Sequence, residues 1–323
     1  MGQCFAPADQ KSAVGLQSLI SPVAAGVTFG NPDKRAGDFA SAVHAIVLCA
    51  DLSGFSIGGA TLTRSETRGA EELRSIVTAV FGQVTDAIRA TGGQILQFSG
   101  DAVTAAWPIS GGLAAQTLCA VTAGLALQDA CRKLSVPGMA ELKMRVGLAQ
   151  GQVWIAHLHA ARSEPETVMC GDVFGRVGAI DKGREGVFLD QSLWDQISAA
   201  VALGAAVSVT ADRAGLWVTS LGHTLAQPGP APIRTIADAA IIARYVPDYL
   251  RDLLDGVATD WLAEFRSTQI LFARFSDFRF QDPADLPALS ALARGLRTAI
   301  DGSGHGAGRR SAGRVCRKYR RHR

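Results

Sequence analysis

The chain carries no C-x-x-C pair, although it has six cysteines: Cys4, Cys49, Cys119, Cys131, Cys170 and Cys316. That scatter argues against a zinc ribbon or a disulfide framework, and the thiols are expected to be reduced, in the core or at the surface. The six histidines do not cluster at ligand spacing either, and His157 with His159 reads as a strand-end pair rather than a metal site. Long apolar runs are missing. The stretch from Val201 to Val209 is too short to cross a bilayer and contains Gly204. The N-terminus lacks a basic-then-apolar leader. Met1-Gly2-Gln3-Cys4 is followed by Ala6, where a myristoylation signal has Ser or Thr. A cytoplasmic location with no membrane partner is the expectation.

Aromatic residues are scarce, at 7%, while apolar residues reach 48% of 323 positions, enough for a sizeable α/β core. The length suggests two domains. The net charge of +3 conceals an asymmetry. Residues 302–323 hold eight Lys or Arg and no acid, so the remainder has 32 − 8 = 24 basic against 29 acidic residues, a charge of −5. Nucleic-acid proteins usually spread basic charge over a folded face, and here it is confined to one end, so nucleic acid is not an expected partner.

His44-Ala-Ile-Val-Leu-Cys-Ala50 is a compact apolar run with β-branched residues and reads as a buried strand ending at Asp51-Leu52-Ser53-Gly54-Phe55. From about Gly69 to Ala90, apolar residues recur on one helical face (Leu73, Ile76, Val77, Val80, Phe81, Val84, Ile88), and Thr91-Gly92-Gly93 stops the helix. Gln94–Phe98 and Ala102–Trp107 read as a hairpin around Ser99-Gly100-Asp101. A second helix is expected from Leu113 to Leu134, then strands at Leu142–Ala149 and Gln152–His157 separated by Gln150-Gly151. The order strand, helix, hairpin, helix, strand predicts an α+β sandwich of ferredoxin-like βαββαβ type.

Asp51 closes the first strand and Asp101 tips the hairpin. In such a sheet these strands are neighbours, so the two carboxylates converge at one edge. Either aspartate alone is explained by turn formation. Paired carboxylates with flanking carbonyls suit Mg²⁺ or Mn²⁺, and two such ions about 4 Å apart clamp an in-line displacement at phosphorus.

Ala50-Asp-Leu-Ser-Gly-Phe55, Gly69-Ala-Glu-Glu-Leu73 and Gly92-Gly93…Phe98-Ser-Gly-Asp-Ala102 together resemble a class III adenylate/guanylate cyclase domain. The most similar variety is the first domain of the tandem, bicarbonate-responsive soluble adenylyl cyclases. Arg145-Val-Gly-Leu-Ala-Gln-Gly151 and Val168-Met-Cys-Gly-Asp-Val173 resemble later family segments, and Tyr245-Val-Pro-Asp-Tyr249 the linker before a second domain.

The resemblance implies that Asp51 and Asp101 are catalytic metal ligands and that the Leu52 carbonyl joins them. The turn amides of Ser53, Gly54 and Phe55, with Gly100 across the hairpin, would face the triphosphate, as glycine-turn amides do. It implies attack of the ribose 3′-oxygen of the nucleotide on its α-phosphate with release of pyrophosphate, ATP being the favoured substrate and GTP left open. Arg176 matches a bicarbonate-binding Arg.

The sequence also departs from the family. Counted from Gly171, the ribose-positioning Asn and the transition-state Arg fall on Gly175 and Ala179, and the base-reading Lys on Gln97. The chain therefore reads as a metal-binding half, needing a second cyclase domain to supply the Asn and Arg. A homodimer would have two metal halves and no transition-state half. The other reading is a catalytically incomplete pseudo-cyclase that binds metal and nucleotide in a regulatory role.

Thr268-Gln-Ile-Leu-Phe-Ala-Arg-Phe-Ser-Asp-Phe278 repeats the pattern of residues 45–55, with Arg274 in the place of Asp51, and a helix follows over Leu286–Ile300. The expected layout is a lead-in at 1–43, a cyclase domain at 44–225, a linker at 226–263, a truncated second cyclase domain at 264–303 and a basic, aperiodic tail at 304–323. The tail interrupts a domain, which favours a truncated or shifted reading frame over the other reading, a basic arm for nucleic acid or anionic lipid. Half a domain would leave apolar surface on Ile270-Leu-Phe272 and near Leu289–Leu296 uncovered and favour association or poor solubility.

Overall fold

The computed structural model describes residues 37–53, 66–109, 112–133, 142–159, 166–179, 185–204, 207–212, 215–221, 275, 278, 280 and 282–302. The lead-in at 1–36, the turn residues Gly54 and Phe55, the linker, the repeat strand at 268–274 and the tail lie outside them.

The elements are β1 (Phe39–Ser53), α1 (Glu66–Ala90), β2 (Gln94–Ser99), β3 (Ala102–Pro108), α2 (Leu113–Lys133), β4 (Lys143–Leu158), β5 (Glu166–Cys170), α3 (Asp172–Val177), β6 (Gly186–Leu189), α4 (Gln191–Gly204), β7 (Val207–Asp212), β8 (Gly215–Leu221) and α5 (Leu286–Gly302). Two expectations are corrected. β1 begins at Phe39, inside the stretch read as lead-in. Gln150-Gly151 makes no turn, because β4 runs unbroken from Lys143 to Leu158. Gly151 stays extended there and serves a side-chain approach described below.

The chain forms two compact units, residues 43–153, 171–232 and 318–323 in the larger, and 1–42, 154–170 and 233–317 in the smaller. In the larger unit the strand order is β2-β3-β1-β4-β6-β8-β7. β3 is antiparallel to both β1 and β2, and β4 is parallel to β6. This is the βαββαβ arrangement expected from the sequence, extended by β6 to β8.

The core sits on one face of this sheet. Ile46, Leu48, Ala50 and Leu52 of β1, Val103, Ala105 and Trp107 of β3, and Met144, Val146 and Leu148 of β4 alternate toward it. Val80, Val84 and Ile88 of α1, Leu118, Val121 and Leu127 of α2, and Leu193 and Ile197 of α4 close it. The period of two has a consequence for chemistry. If the even-numbered residues of β1 and β4 face the helices, Asp51 and Arg145 project from the opposite face.

In the smaller unit, β5 pairs antiparallel with Trp154–Leu158 of β4. A 3₁₀ turn at Pro283–Asp285 leads into α5 and carries a reciprocal cap: Asp282 accepts from Ala284 N–H at 2.8 Å, and the Asp282 N–H donates to Asp285 at 3.2 Å. The helix expected at Leu286–Ile300 is present. Leu289 is buried with Phe280 against Trp154, Ala156, Leu158 and Cys170, and Leu286 and Ala293 pack beside them. Leu289 is thus covered within the unit, Leu292 and Leu296 are partly exposed, and Ile270–Phe272 lie outside the described residues.

Candidate active site

Three local devices bring Asp51 and Asp101 together. The helix stop works as the sequence suggests, with Gly93 N–H bonding the Ile88 carbonyl at 2.9 Å and Trp107 Nε1–H the Thr91 carbonyl at 3.0 Å. This fixes where β2 starts. The hairpin then turns at Gly100, whose φ of +64° is a left-handed conformation that suits glycine. Finally the register of β1 with β3 sets Asp51 opposite Ala102, and the Leu52 N–H donates to the Asp101 carbonyl at 3.1 Å. The two aspartates thus flank one backbone hydrogen bond at the end of two neighbouring strands.

Arg145 completes this edge. From β4 its Nη2 donates to Asp51 Oδ2 at 2.6 Å, with the Asp51 side chain 36% and the Arg145 side chain 13% exposed. A guanidinium this buried in an apolar strand needs an anionic partner. It also places a cation on the carboxylate oxygen that a metal ion would take. Sequence reading quoted Arg145 within a motif and gave it no role. The available signal was a charge at an odd position between the apolar residues Met144 and Val146 of a strand.

The donor set suits a hard divalent ion. Among the described residues no three His, Cys, Asp or Glu side chains gather into a metal cage. Two carboxylates and the Leu52 carbonyl are an incomplete oxygen shell, as expected where water and phosphate oxygens supply the rest. Asp51, Leu52, Gly100 and Asp101 come together here. Ser53 is the last residue of β1, its side chain outside the described set, and Gly54 and Phe55 lie outside it entirely.

Arg176 belongs to a different construction. On α3, its Nη1 donates to Asp190 Oδ2 at 2.8 Å and Ser192 Oγ at 2.9 Å, and its Nη2 to the Gln150 carbonyl at 2.5 Å. Ser192 in turn donates to Asp190. Gly151 makes the approach feasible, since a Cβ there would lie 3.0 Å from Arg176 Nη2 and 2.9 Å from Val173 Cβ. Asp190 also begins α4, its carbonyl accepting from Leu193 and Trp194. Arg176 therefore ties α3, the middle of β4 and the start of α4 into one network.

Gly175 lies within α3 and Ala179 just beyond it. Asn31, outside the described residues, is the only asparagine in the chain.

Residues 44–175 match the adenylate and guanylate cyclase catalytic domain family. No relative among curated proteins matches the sequence. Among solved structures the chain is similar to the adenylyl cyclase CyaB from P. aeruginosa, at 15% identity and a TM-score of 0.45 over 58% of this chain and 99% of that one. It is also similar to the guanylyl cyclase domain of the RhoGC fusion protein from the fungus Blastocladiella emersonii, at 12% identity, a TM-score of 0.46 and coverage of 57% and 99%. The guanylyl cyclase Cya2 gives 18%, 0.42, and 60% and 100%.

Proposed function

We propose that this chain contributes the metal-binding half of a nucleotide cyclase site, converting ATP to cyclic AMP and pyrophosphate when a second domain completes it. The observation that carries this reading is the pairing of Asp51 and Asp101 across the Leu52–Asp101 hydrogen bond, within a segment that matches the cyclase catalytic family. Asp51, Asp101 and the Leu52 carbonyl would hold two Mg²⁺ or Mn²⁺ ions. Bound there, such ions acidify the ribose 3′-hydroxyl and neutralise the triphosphate.

The chain's own residues do the positioning. The strand register fixes the backbone positions of the two aspartates. Arg145 orients the Asp51 carboxylate and keeps positive charge at the edge where the polyphosphate arrives. The amides of Ser53, Gly54 and Phe55 are proposed to receive phosphate oxygens.

Among the described residues around α3, none offers an uncommitted carboxamide or guanidinium to steady the ribose and the transition state. Gly175 and Ala179 hold those positions, and Arg176 is spent on Asp190, Ser192 and Gln150. The partner is therefore a second cyclase domain bearing Asn and Arg; a homodimer would lack them. The same observation favours a second reading, a regulatory pseudo-cyclase that binds metal–nucleotide without turning it over. Bicarbonate, the other ligand the resemblance implies, would have to displace Asp190 or Ser192 from Arg176. Gln97 leaves the base choice between ATP and GTP to the partner.

Cyclic nucleotide formation with Mn²⁺ and either ATP or GTP tests this, for the chain alone and mixed with a cyclase domain carrying Asn and Arg, beside Asp51→Ala. Product only in the mixture, lost in Asp51→Ala, supports the half-site. Metal–nucleotide binding without product in any mixture supports the pseudo-cyclase. Product from the chain alone overturns the reading of Gly175 and Ala179.

A further inference from the structure

A second polar constellation, unused by the cyclase chemistry, lies within the smaller unit. Ser290, Arg294 and Arg297 recur at i, i+4 and i+7 and so share one face of α5. They line a shallow, solvent-open cleft with His159 at the end of β4 and Glu166 at the start of β5. Asp38, just before β1, anchors one wall. Its carboxylate accepts the His159 N–H at 2.6 Å and the Ser290 hydroxyl, and lies 3.4 Å from Arg294 Nη1. Arg297 pairs with Glu166.

Two features of this cleft are unexplained by packing. His159 Nδ1 is buried and finds no hydrogen-bond partner among the described residues. Buried polar atoms in native proteins are almost always satisfied, so an unpartnered nitrogen on a residue that lines the cleft calls for a partner. Arg294 is the second. Its Nη1 bonds Ser290 Oγ at 2.6 Å, but its contact with Asp38 is long and its side chain is 52% exposed, so most of its five N–H donors remain unused. Ser290 orients a guanidinium that has little to hold.

The charges also leave room for an anion. Arg294 and Arg297 from α5, Glu166 from β5 and His159 from β4 line the cleft, and Asp38 stands against Ser290 and Arg294, with His157 next along β4. The two guanidiniums and the two carboxylates cancel, so an arriving anion meets no net negative charge.

We propose that this cleft is a binding site for a small oxyanion of the phosphate or carboxylate class. The Arg294 and Arg297 forks supply the charged donors, His159 Nδ1–H the buried one, and Ser290 positions Arg294. Guanidinium forks match the paired oxygens of such anions better than any other side chain.

The test uses the full chain with ¹⁵N-labelled histidine. His159 imidazole signals are followed by NMR while inorganic phosphate or formate is added at constant ionic strength. The expected result is a saturable shift at His159, weakened about tenfold or more in Arg294→Gln/Arg297→Gln and unchanged in Arg132→Gln, which alters a surface arginine elsewhere. Response to phosphate alone assigns a tetrahedral ligand; response to both admits carboxylates. Should the double variant unfold, Ser290→Ala replaces it, with a severalfold loss expected. No saturable shift with either anion, or a shift that both arginine variants leave intact, overturns the proposal.

Discussion

Two arginine–aspartate pairs in the larger unit look alike on paper and differ in what surrounds them. Arg145–Asp51 lies at a strand end, beside a second aspartate and a glycine turn, and its carboxylate is 36% exposed. Arg176–Asp190 lies inside a closed set of oxygens that also includes Ser192 and the Gln150 carbonyl, and it secures the start of α4. The first pair holds a charge in readiness for another cation. The second consumes its charge in building the fold. An arginine that matches a family's ligand-binding position can thus be structurally committed, while one without an assigned role sits on the carboxylate proposed to bind metal.

The largest effect should come from the poised pair. Asp51→Ala should reduce metal-dependent nucleotide binding by about a hundredfold or more, because it removes an anionic ligand from a two-carboxylate site. Stability should change by less than about 2 kcal/mol, since the pair is partly exposed and solvent-screened. Calorimetric titration with Mn²⁺–ATP and a urea melt check the two halves. A variant that melts like the parent and still binds would remove Asp51 from the site.

Next comes a contrast between the units. His157 in the smaller unit is 1% exposed and stacks on Phe39 at 4.5 Å. Burial, helped by the nearby His159, pushes its pKa down from 6.5 to about 4. The folded imidazole stays neutral while the unfolded one gains a proton below pH 6.5. Stability is therefore undiminished above about 6.5, falls as the pH drops, and stops falling near pH 4. The total loss is about 3 kcal/mol, at 1.36 kcal/mol per unit. Urea midpoints between pH 7 and 4 measure it, and His157→Phe should flatten the slope.

Smaller again is the committed arginine. Arg176→Met should destabilise the protein by about 1–2 kcal/mol, because Asp190 and the Gln150 carbonyl lose their donor while the exposed part of the guanidinium limits the cost. Metal binding at Asp51 should be unaffected. A weakened Mn²⁺ affinity would show that the two pairs are not separate constructions.

How much of this was legible beforehand follows from which physics each feature uses. The helix over 69–90 and the hairpin around Gly100 rest on local periodicity and turn chemistry, and both stand where the sequence places them. Asp51 beside Asp101 followed from one topological step, that a hairpin strand neighbours the first strand. β4 was misread because Gln150-Gly151 looks like a turn, whereas Gly151 is there to admit Arg176 from α3, a contact 25 residues away in sequence that no local rule reports. The cover of Leu289 by Trp154 and Cys170 was hidden for the same reason. Arg145 was visible as a charge in an apolar strand, but its partner lies 94 residues upstream.

The smallest predicted effect probes the poised pair from its other side. Arg145→Gln removes the cation that competes for Asp51 Oδ2. Binding of Mn²⁺ alone should tighten, by up to about tenfold, the order expected when one opposite charge leaves a carboxylate. Binding of the nucleotide should weaken over the same range, since a positive group near the polyphosphate is lost. Opposite signs for metal and nucleotide are what distinguish a poised ion pair from a structural one. The corresponding change at Arg176 should move neither ligand and only lower the melting point. If Arg145→Gln also left both ligands unmoved and cost stability alone, the two arginines would be equivalent, and Asp51 would be a turn residue held by a salt bridge rather than a metal ligand in waiting.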